Sequence, residues 1–319
     1  MNSKTNGQEY VLGVDVGGTT VKIGVFSEKD GLLDKWEIRT RREDSGAHIL
    51  PDIAASATQY LQEKGLDRER LKGAGIGIPG AVLPGGIVDR CVNLGWGTVP
   101  VSEVFSGLMG GIPVQTGNDA NVAALGEMWK GGGRGYRNLV MVTLGTGVGG
   151  GVILDGKIVT GAFGAAGEIG HLQMREDEEE CCGCGKKGCL EQYASATGIV
   201  RMAKKYLASS DEPSALRDQK QLTAKAIFDS AREGDGAALC LVGQLGEMLG
   251  RALSYISAVI DPEIFVLGGG VSRAGSILLD TVAENYRKCA FHASRKAKFE
   301  LASLGNDAGI YGAARMVME

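Results

Sequence analysis

Two segments with the same pattern of apolar strand, glycine turn and apolar strand constrain the fold of this chain most. The first covers residues 11–26 around a turn at Gly17 and Gly18, and the second covers residues 139–154 around Gly145 and Gly147. Gly17 and Gly145 lie 128 positions apart. Because self-similarity at a fixed spacing indicates repeated architecture, we predict two similar α/β halves that each offer one hairpin to a shared ligand.

Further strands and helices follow the same reasoning. Residues 264–267 form a short apolar run that predicts a strand and ends in three glycines, Gly268, Gly269 and Gly270. Apolar residues at spacings of three and four predict one buried helix face from Val242 to Ile260. We expect Asp261 and the proline after it to end that helix, and residues 308–318 to form the last helix.

Length and charge exclude several classes of protein. A chain of 319 residues exceeds what one hydrophobic core usually serves, so we expect two domains around a cleft. The formal net charge of −4 gives no electrostatic footprint for DNA or RNA. The polar start lacks a secretory signal, and no apolar stretch approaches the roughly 18 residues of a membrane span. We therefore expect a cytoplasmic protein without a nucleic-acid or membrane partner.

The glycine turns predict a phosphate site rather than a dinucleotide site. Residues 145–150 match the dinucleotide fingerprint by letter, but a strand follows them where the fingerprint needs a helix. Backbone N–H groups and hydroxyls of such turns can cradle a polyphosphate, and the carboxylate just before the first turn can hold Mg²⁺ through water. A plain hairpin with a solvated carboxylate is the alternative. The residues concerned are Asp15, Gly17, Gly18, Thr19, Thr20, Gly145, Thr146 and Gly147.

Four soft or borderline ligands lie within one short glycine-rich segment. His171, Cys182, Cys184 and Cys189 suit tetrahedral Zn²⁺, and a full set of four ligands indicates a structural site. In a reducing compartment these cysteines are expected as metal ligands rather than disulfides. Cys181 adjoins Cys182 and remains an alternative ligand.

Polar residues suited to a hydroxyl-rich ligand occur in two places. Asp119 precedes an apolar helical run, so its carboxylate is either a helix cap or a general base for an attacking hydroxyl. Glu168 and Glu191 flank the metal segment with His171, where they are either surface charges or acceptors for sugar hydroxyls.

At these motifs the chain resembles the ROK family (repressor, open reading frame, kinase) nearly from end to end. The resemblance is carried by residues 15–20, 77–80, 93–94, 118–121, 145–151, 167–171, 182–191 and 268–270. It implies an actin-like fold of the hexokinase type. We expect a small α/β domain of residues 1–118 plus 306–319 and a large α/β domain of residues 119–305 that carries the zinc loop.

The resemblance also implies an activity, namely ATP-dependent phosphorylation of a hexose at its 6-hydroxyl. Glucose is the hexose that we expect. Asp119 would be the base, magnesium would accompany ATP, and Gly268, Gly269 and Gly270 would lie near the nucleoside. A homodimer is implied as well. The sugar would be bound by Gly80, Asn93, Asn118, Asp119, Glu168, His171 and Glu191.

Alternatives within the resemblance remain open. Fructose, mannose, N-acetylmannosamine or N-acetylglucosamine could replace glucose because they differ from it by single groups, and polyphosphate or ADP could replace ATP. The family also contains sugar-responsive repressors. We expect a kinase because the first strand begins at about Tyr10, which leaves no room for a DNA-binding helical region before it.

Overall fold

The computed structural model describes residues 8–318, which form two compact units. Within this range, the first unit contains residues 8–135, 151–166 and 306–318, and the second contains residues 136–150 and 167–305. The chain therefore returns to the first unit at its C-terminal end.

The β-strands are short and named here in chain order. They are β1 (Tyr10–Val16), β2 (Thr20–Ser27), β3 (Gly31–Arg39), β4 (Leu71–Ile78), β5 (Val82–Leu83), β6 (Ile87–Val88), β7 (Val99–Pro100), β8 (Val114–Asn118), β9 (Leu139–Leu144), β10 (Val148–Leu154), β11 (Lys157–Ile158), β12 (Ile264–Gly268) and β13 (Lys298–Leu301).

The α-helices lie between and after runs of these strands. They are α1 (Ile49–Glu63), α2 (Val101–Leu108), α3 (Asp119–Lys130), α4 (Glu191–Ala194), α5 (Ala196–Ser209), α6 (Ala224–Arg232), α7 (Gly236–Ile260), α8 (Ser276–Cys289) and α9 (Ala308–Met316). Helices α4 to α7 follow one another between β11 and β12. Among residues 8–318, no helix combines the length and the apolar character that crossing a bilayer requires.

The first large sheet has the strand order β3-β2-β1-β4-β8. β1 and β2 pair antiparallel with Val11 opposite Phe26, which confirms the first predicted hairpin. β1, β4 and β8 run parallel. Carboxyl ends of parallel strands lie at one edge of a sheet, so the residues that follow β1 and β8 are brought to the same edge.

The second large sheet has the order β11-β10-β9-β12-β13, which repeats the topology of the first. β9, β12 and β13 run parallel, as β1, β4 and β8 do. The predicted duplication is therefore confirmed, as are the second strand–turn–strand segment and the strand that ends at Gly268.

Glycines let α9 lie directly on its neighbours in the first unit. A Cβ on Gly75 of β4 would lie 1.7 Å from the carbonyl oxygen of Ala313, and one on Gly312 would lie 1.7 Å from that of Val122 in α3. Only residues without a side chain permit such backbone approach. Because α3 packs on α9, the compact units divide the chain after Gly135, whereas the domain boundary expected from the sequence falls before α3.

The second unit is built around α7, which packs on α8 and α6. Asp235 caps its first turn through the N–H of Ala238 at 2.9 Å, and Asp261 ends it in a left-handed conformation. The predicted helix is therefore confirmed, although it begins earlier, at Gly236. Aromatic rings of β12, α8 and β13 pack on one another in this unit, namely those of Phe265, Tyr286 and Phe299.

Candidate active site

The first glycine turn joins β1 to β2 and is held by a buried threonine. The N–H of Gly17 donates to the carbonyl of Thr20 at 3.0 Å. The N–H of Thr40 donates to the carbonyl of Thr19 at 2.9 Å, and its hydroxyl donates to that of Gly17 at 2.7 Å. These bonds fix the turn while Thr19 and Thr20 remain exposed, a combination that suits an anion.

A cavity of about 500 Å³ lies beside this turn in the first unit. Gly18, Thr19 and Asn93 contribute to its lining together with the basic residues Arg39 and Arg42. The structure therefore places Asn93, a predicted sugar residue, next to the predicted phosphate turn.

Asp15 and Asp119 come to the same edge of the first sheet. Burial and, to a smaller extent, the charge of Asp119 raise the pKa of Asp15 to about 6, and Lys22, its cross-strand partner, opposes the rise. Burial also raises the pKa of Asp119, against the hydrogen bonds from the N–H of Ala120 and from Asn118. Such perturbed carboxylates are typical of functional sites.

Asn118, rather than Asp119, caps α3. Its Oδ1 accepts from the N–H groups of Ala120 and Asn121 at 3.0 and 3.2 Å. Its Nδ2 donates to the carbonyl of Gly80 and to Oδ1 of Asp119, both at 3.1 Å. Asn118 therefore positions Asp119 and connects it to Gly80.

The second unit brings the four predicted metal ligands together. Ligand atoms of His171, Cys182, Cys184 and Cys189 all lie within 4.8 Å of one another. Sγ of Cys184 lies 3.7 Å from Sγ of Cys189, and Sγ of Cys182 lies 3.8 Å from Nδ1 of His171. A tetrahedral zinc with Zn–S bonds of about 2.3 Å separates two sulfurs by about 3.8 Å, so the donor set fits this ion.

The neighbouring cysteine lies outside this group. Cys181 is exposed, whereas Cys182 is buried. Cys181 pairs with Lys187 in an isolated β-bridge, and successive side chains of an extended segment point to opposite sides. This geometry favours Cys182 as the ligand.

Glu168 and Glu191 lie beside the metal cluster. Nε2 of His171, the ring nitrogen away from the cysteines, lies 4.0 Å from Oε2 of Glu168. Oε1 of Glu191 is 3.6 Å from Sγ of Cys182, and its Oε2 accepts from the N–H of Val148 at 3.0 Å. The three predicted polar residues of this unit therefore form one group around the cluster.

The second glycine turn is held by the start of α5. The N–H of Gly145 donates to the carbonyl of Gly147 at 3.0 Å, and the N–H of Ala196 donates to that of Gly145 at 2.8 Å. The hydroxyl of Thr197 donates to the carbonyl of Thr146 at 2.6 Å. Thr197 thus supports this turn as Thr40 supports the first.

A partly apolar cavity of about 240 Å³ follows the glycines after β12. Phe228 and Arg232 of α6 line it together with Gly270, Val271 and Arg273. Gly269 has a left-handed backbone with φ of +83°, and a Cβ there would lie 2.5 Å from the carbonyl oxygen of Leu144. This close approach explains why glycine stands at position 269, just before the cavity residue Gly270.

A protein-family model described as the ROK family matches residues 11–319. The chain belongs to the ROK family. Its fold is accordingly the actin-like, hexokinase-type ATPase fold, as the sheet topology and the similar solved structures agree.

Individual ROK proteins resemble this chain over almost its whole length. A glucokinase of Halalkalibacterium halodurans is 40% identical over 97% of this chain and 95% of its own length. The crystal structure of a ROK family glucokinase from Streptomyces griseus, in complex with glucose and AMPPNP, is 34% identical, with a TM-score of 0.74 over 96% of this chain and 98% of that one. The ROK hexokinase from Thermus thermophilus is 31% identical, with a TM-score of 0.80 over 96% of each chain.

The predicted ROK site residues divide between the two units. The first unit contains Asp15, the first glycine turn, Gly80, Asn93, Asn118 and Asp119. The second unit contains the second glycine turn, Gly268 to Gly270, Glu168, Glu191 and the four metal ligands, which include His171. Sequence reasoning missed Thr40, Thr197 and the cavity residues of α6. Their contacts join distant parts of the chain, and no local motif marks them.

Proposed function

We propose that this ROK protein is an ATP-dependent glucokinase that transfers the γ-phosphoryl group of ATP to the 6-hydroxyl of glucose. Full-length similarity to glucokinases supports the substrate. The observation that carries the chemistry is Asp119, whose half-buried carboxylate has a raised pKa and is held by Asn118 at the first turn of α3.

Asp119 acts as the general base. Its Oδ1 accepts hydrogen bonds from Asn118 and from the N–H of Ala120, which hold this oxygen in place and leave Oδ2 for the substrate. Oδ2 of Asp119 then accepts the proton of the sugar 6-hydroxyl while the hydroxyl oxygen bonds to the γ-phosphorus of ATP. The bond from that phosphorus to the bridging oxygen breaks, which releases ADP. Catalysis of this kind consists mainly of positioning and of stabilising charge on the phosphoryl group.

In the second unit, the residues proposed for sugar binding are Glu168, His171 and Glu191. Carboxylates of Glu168 and Glu191 accept hydrogen bonds from sugar hydroxyls, and Nε2 of His171 makes a directed contact while Nδ1 faces the cysteines. In the first unit, the residues proposed for sugar binding are Gly80, Asn93, Asn118 and Asp119.

Each glycine turn is suited to bind phosphate oxygens of ATP, and Asp15 would hold the magnesium ion through water. Magnesium, when bound, neutralises charge that develops on the phosphates. The cavity next to Gly270 is suited to the nucleoside, because apolar lining with a few polar groups is usual for such ligands.

Zinc is proposed for the four-ligand cluster, where it stiffens the loop that carries the sugar residues. With four protein ligands no coordination position is left for substrate, so its role is structural. The resemblance to the family supports a homodimer. We place the enzyme in the cytoplasm, where ATP is available and thiols stay reduced, and its product would enter glycolysis.

The function is tested by identifying the product. The purified protein, incubated with glucose, ATP and magnesium, is expected to form glucose 6-phosphate, which a coupled dehydrogenase assay detects. Consumption of ATP without formation of a sugar phosphate would contradict the proposal.

A further inference from the structure

Gln192, the second residue of α4, joins the two ends of the metal loop. Its side chain is buried, with the residue only 8% exposed. Oε1 accepts from the backbone N–H of Cys189 at 3.0 Å, and Nε2 donates to the backbone carbonyl of Glu180, also at 3.0 Å. One amide thus contacts both sides of the segment 181–189, which contains three of the four candidate ligands.

This contact requires a side chain that donates and accepts at once. Among side chains with the reach of Gln192, the carboxamide offers an N–H donor and a carbonyl acceptor at one end. The backbone of Gln192 adds a third bond, from its N–H to the carbonyl of Cys189 at 2.9 Å. Cys189 is therefore fixed relative to α4 by its N–H and by its carbonyl.

Arg201 of α5 holds the backbone of Gln192 by a further hydrogen bond. Nη2 of Arg201 donates to the backbone carbonyl of Gln192 at 3.1 Å and to Oε2 of Glu178 at 2.7 Å. Glu178 lies just before the metal loop and also accepts from the hydroxyl of Tyr193 at 2.8 Å. Gln192 thus links the loop to a rigid part of the second unit.

We infer that Gln192 is a positioning residue, which closes the base of the metal loop and thereby sets both the spacing of the cysteine ligands and the orientation of the adjacent Glu191. It does not touch the metal or the sugar itself. This role rests on the proposed glucokinase function and on zinc as the metal.

The test is the rate of zinc release from the purified, zinc-loaded protein, followed with a chromogenic chelator in excess. Gln192→Met keeps the length of the side chain and removes both hydrogen bonds. Loss of a group that supports metal ligands typically lowers metal affinity about 10- to 100-fold, and we expect zinc release to accelerate by a similar factor. The KM for glucose should rise, while the KM for ATP should stay near the wild-type value, and added zinc should restore the KM for glucose.

Ser257→Ala is the matched control. Ser257 is buried in the same unit, and its hydroxyl lies 2.7 Å from that of Tyr286, away from the metal loop. The control should lower the melting temperature without changing zinc release. Wild-type release from Gln192→Met, or equal acceleration in both variants, would overturn the inference.

A second variant covers the case in which Gln192→Met does not fold. Gln192→Glu keeps the acceptor for the N–H of Cys189 but places a carboxylate oxygen against the carbonyl of Glu180. Faster zinc release is again expected, and wild-type release would overturn the positioning role. Wild-type protein that holds no zinc, or that forms no glucose 6-phosphate, would instead contradict the proposed function.

Discussion

Asp15 and Asp119 are both partly removed from water, but different groups support their ionised forms. Asp119 accepts hydrogen bonds from the N–H of Ala120 and from Asn118, which favour the carboxylate. For Asp15, the positive charge of Lys22 lowers the pKa, whereas burial and the charge of Asp119 raise it. Asp119 is therefore the carboxylate suited to accept a proton at neutral pH, and Asp15 is suited to a cation.

The raised pKa of Asp15 predicts a specific dependence of stability on pH. Because its pKa rises from 3.8 to about 6 on folding, the stability it contributes is fully present below pH 3.8 and is lost as the pH rises through about 6. The loss corresponds to about 3 kcal/mol in the absence of magnesium.

Asp15→Asn removes this titration. Its melting temperature relative to wild type should increase from about pH 4 to about pH 7 without magnesium. A difference that stays constant over this range would contradict the assigned environment of Asp15.

Asp119→Asn tests the proposed base. The variant should fold normally because Asn118 remains the cap of α3 and an amide oxygen can still accept from the N–H of Ala120. Since a general base typically supplies about 10² to 10⁴ in rate, kcat should fall by at least about 100-fold while glucose still binds by calorimetry.

The same substitution at Asp67, a capping carboxylate away from the site, is the control and should leave kcat unchanged. A folded, glucose-binding Asp119→Asn protein within about tenfold of wild-type kcat would place proton removal elsewhere.

The metal loop shows how far local sequence can predict a site. Its ligand spacing is contained in residues 171–189, so the sequence sufficed to predict which side chains the structure brings together. The choice between Cys181 and Cys182 depended on the conformation of the loop, which spacing alone does not fix. The contact of Gln192 with Glu180 depends on how α4 folds back, and a glutamine in a short helix carries no signal for it.

Two cysteine variants test the loop directly. Cys184→Ser should lose zinc and sugar affinity together, because three protein ligands hold the ion more weakly and the loop loses its cross-link. Cys181→Ser alters an exposed neighbour and should retain about one zinc per chain. Metal analysis after preparation without chelator decides between them. Loss of zinc from Cys181→Ser with retention in Cys184→Ser would show that the ligand set is wrong.

The duplicated topology was predictable because both hairpins carry the same local pattern, and both sheets share one strand order. The division of the chain into two units was harder to predict from the sequence. α3 belongs with α9 because Gly126 and Gly312 allow their backbones to approach, a contact between segments far apart in sequence. Likewise, Asp15 and Asp119 were recognised from motifs, but their common position follows only from the parallel order of β1, β4 and β8.

The most direct test of the proposed glucokinase function is the specificity constant of the purified protein for a panel of hexoses with ATP and magnesium. Mannose differs from glucose in the configuration at C2, the N-acetyl sugars carry an acetamido group at C2, and fructose is a ketose. A site that pairs each hydroxyl of glucose rejects analogues in which a hydroxyl is displaced or replaced. We expect the highest kcat/KM with glucose, by about tenfold or more over each of the others. A higher kcat/KM for any other sugar of the panel, or no phosphorylation of glucose, would contradict this account.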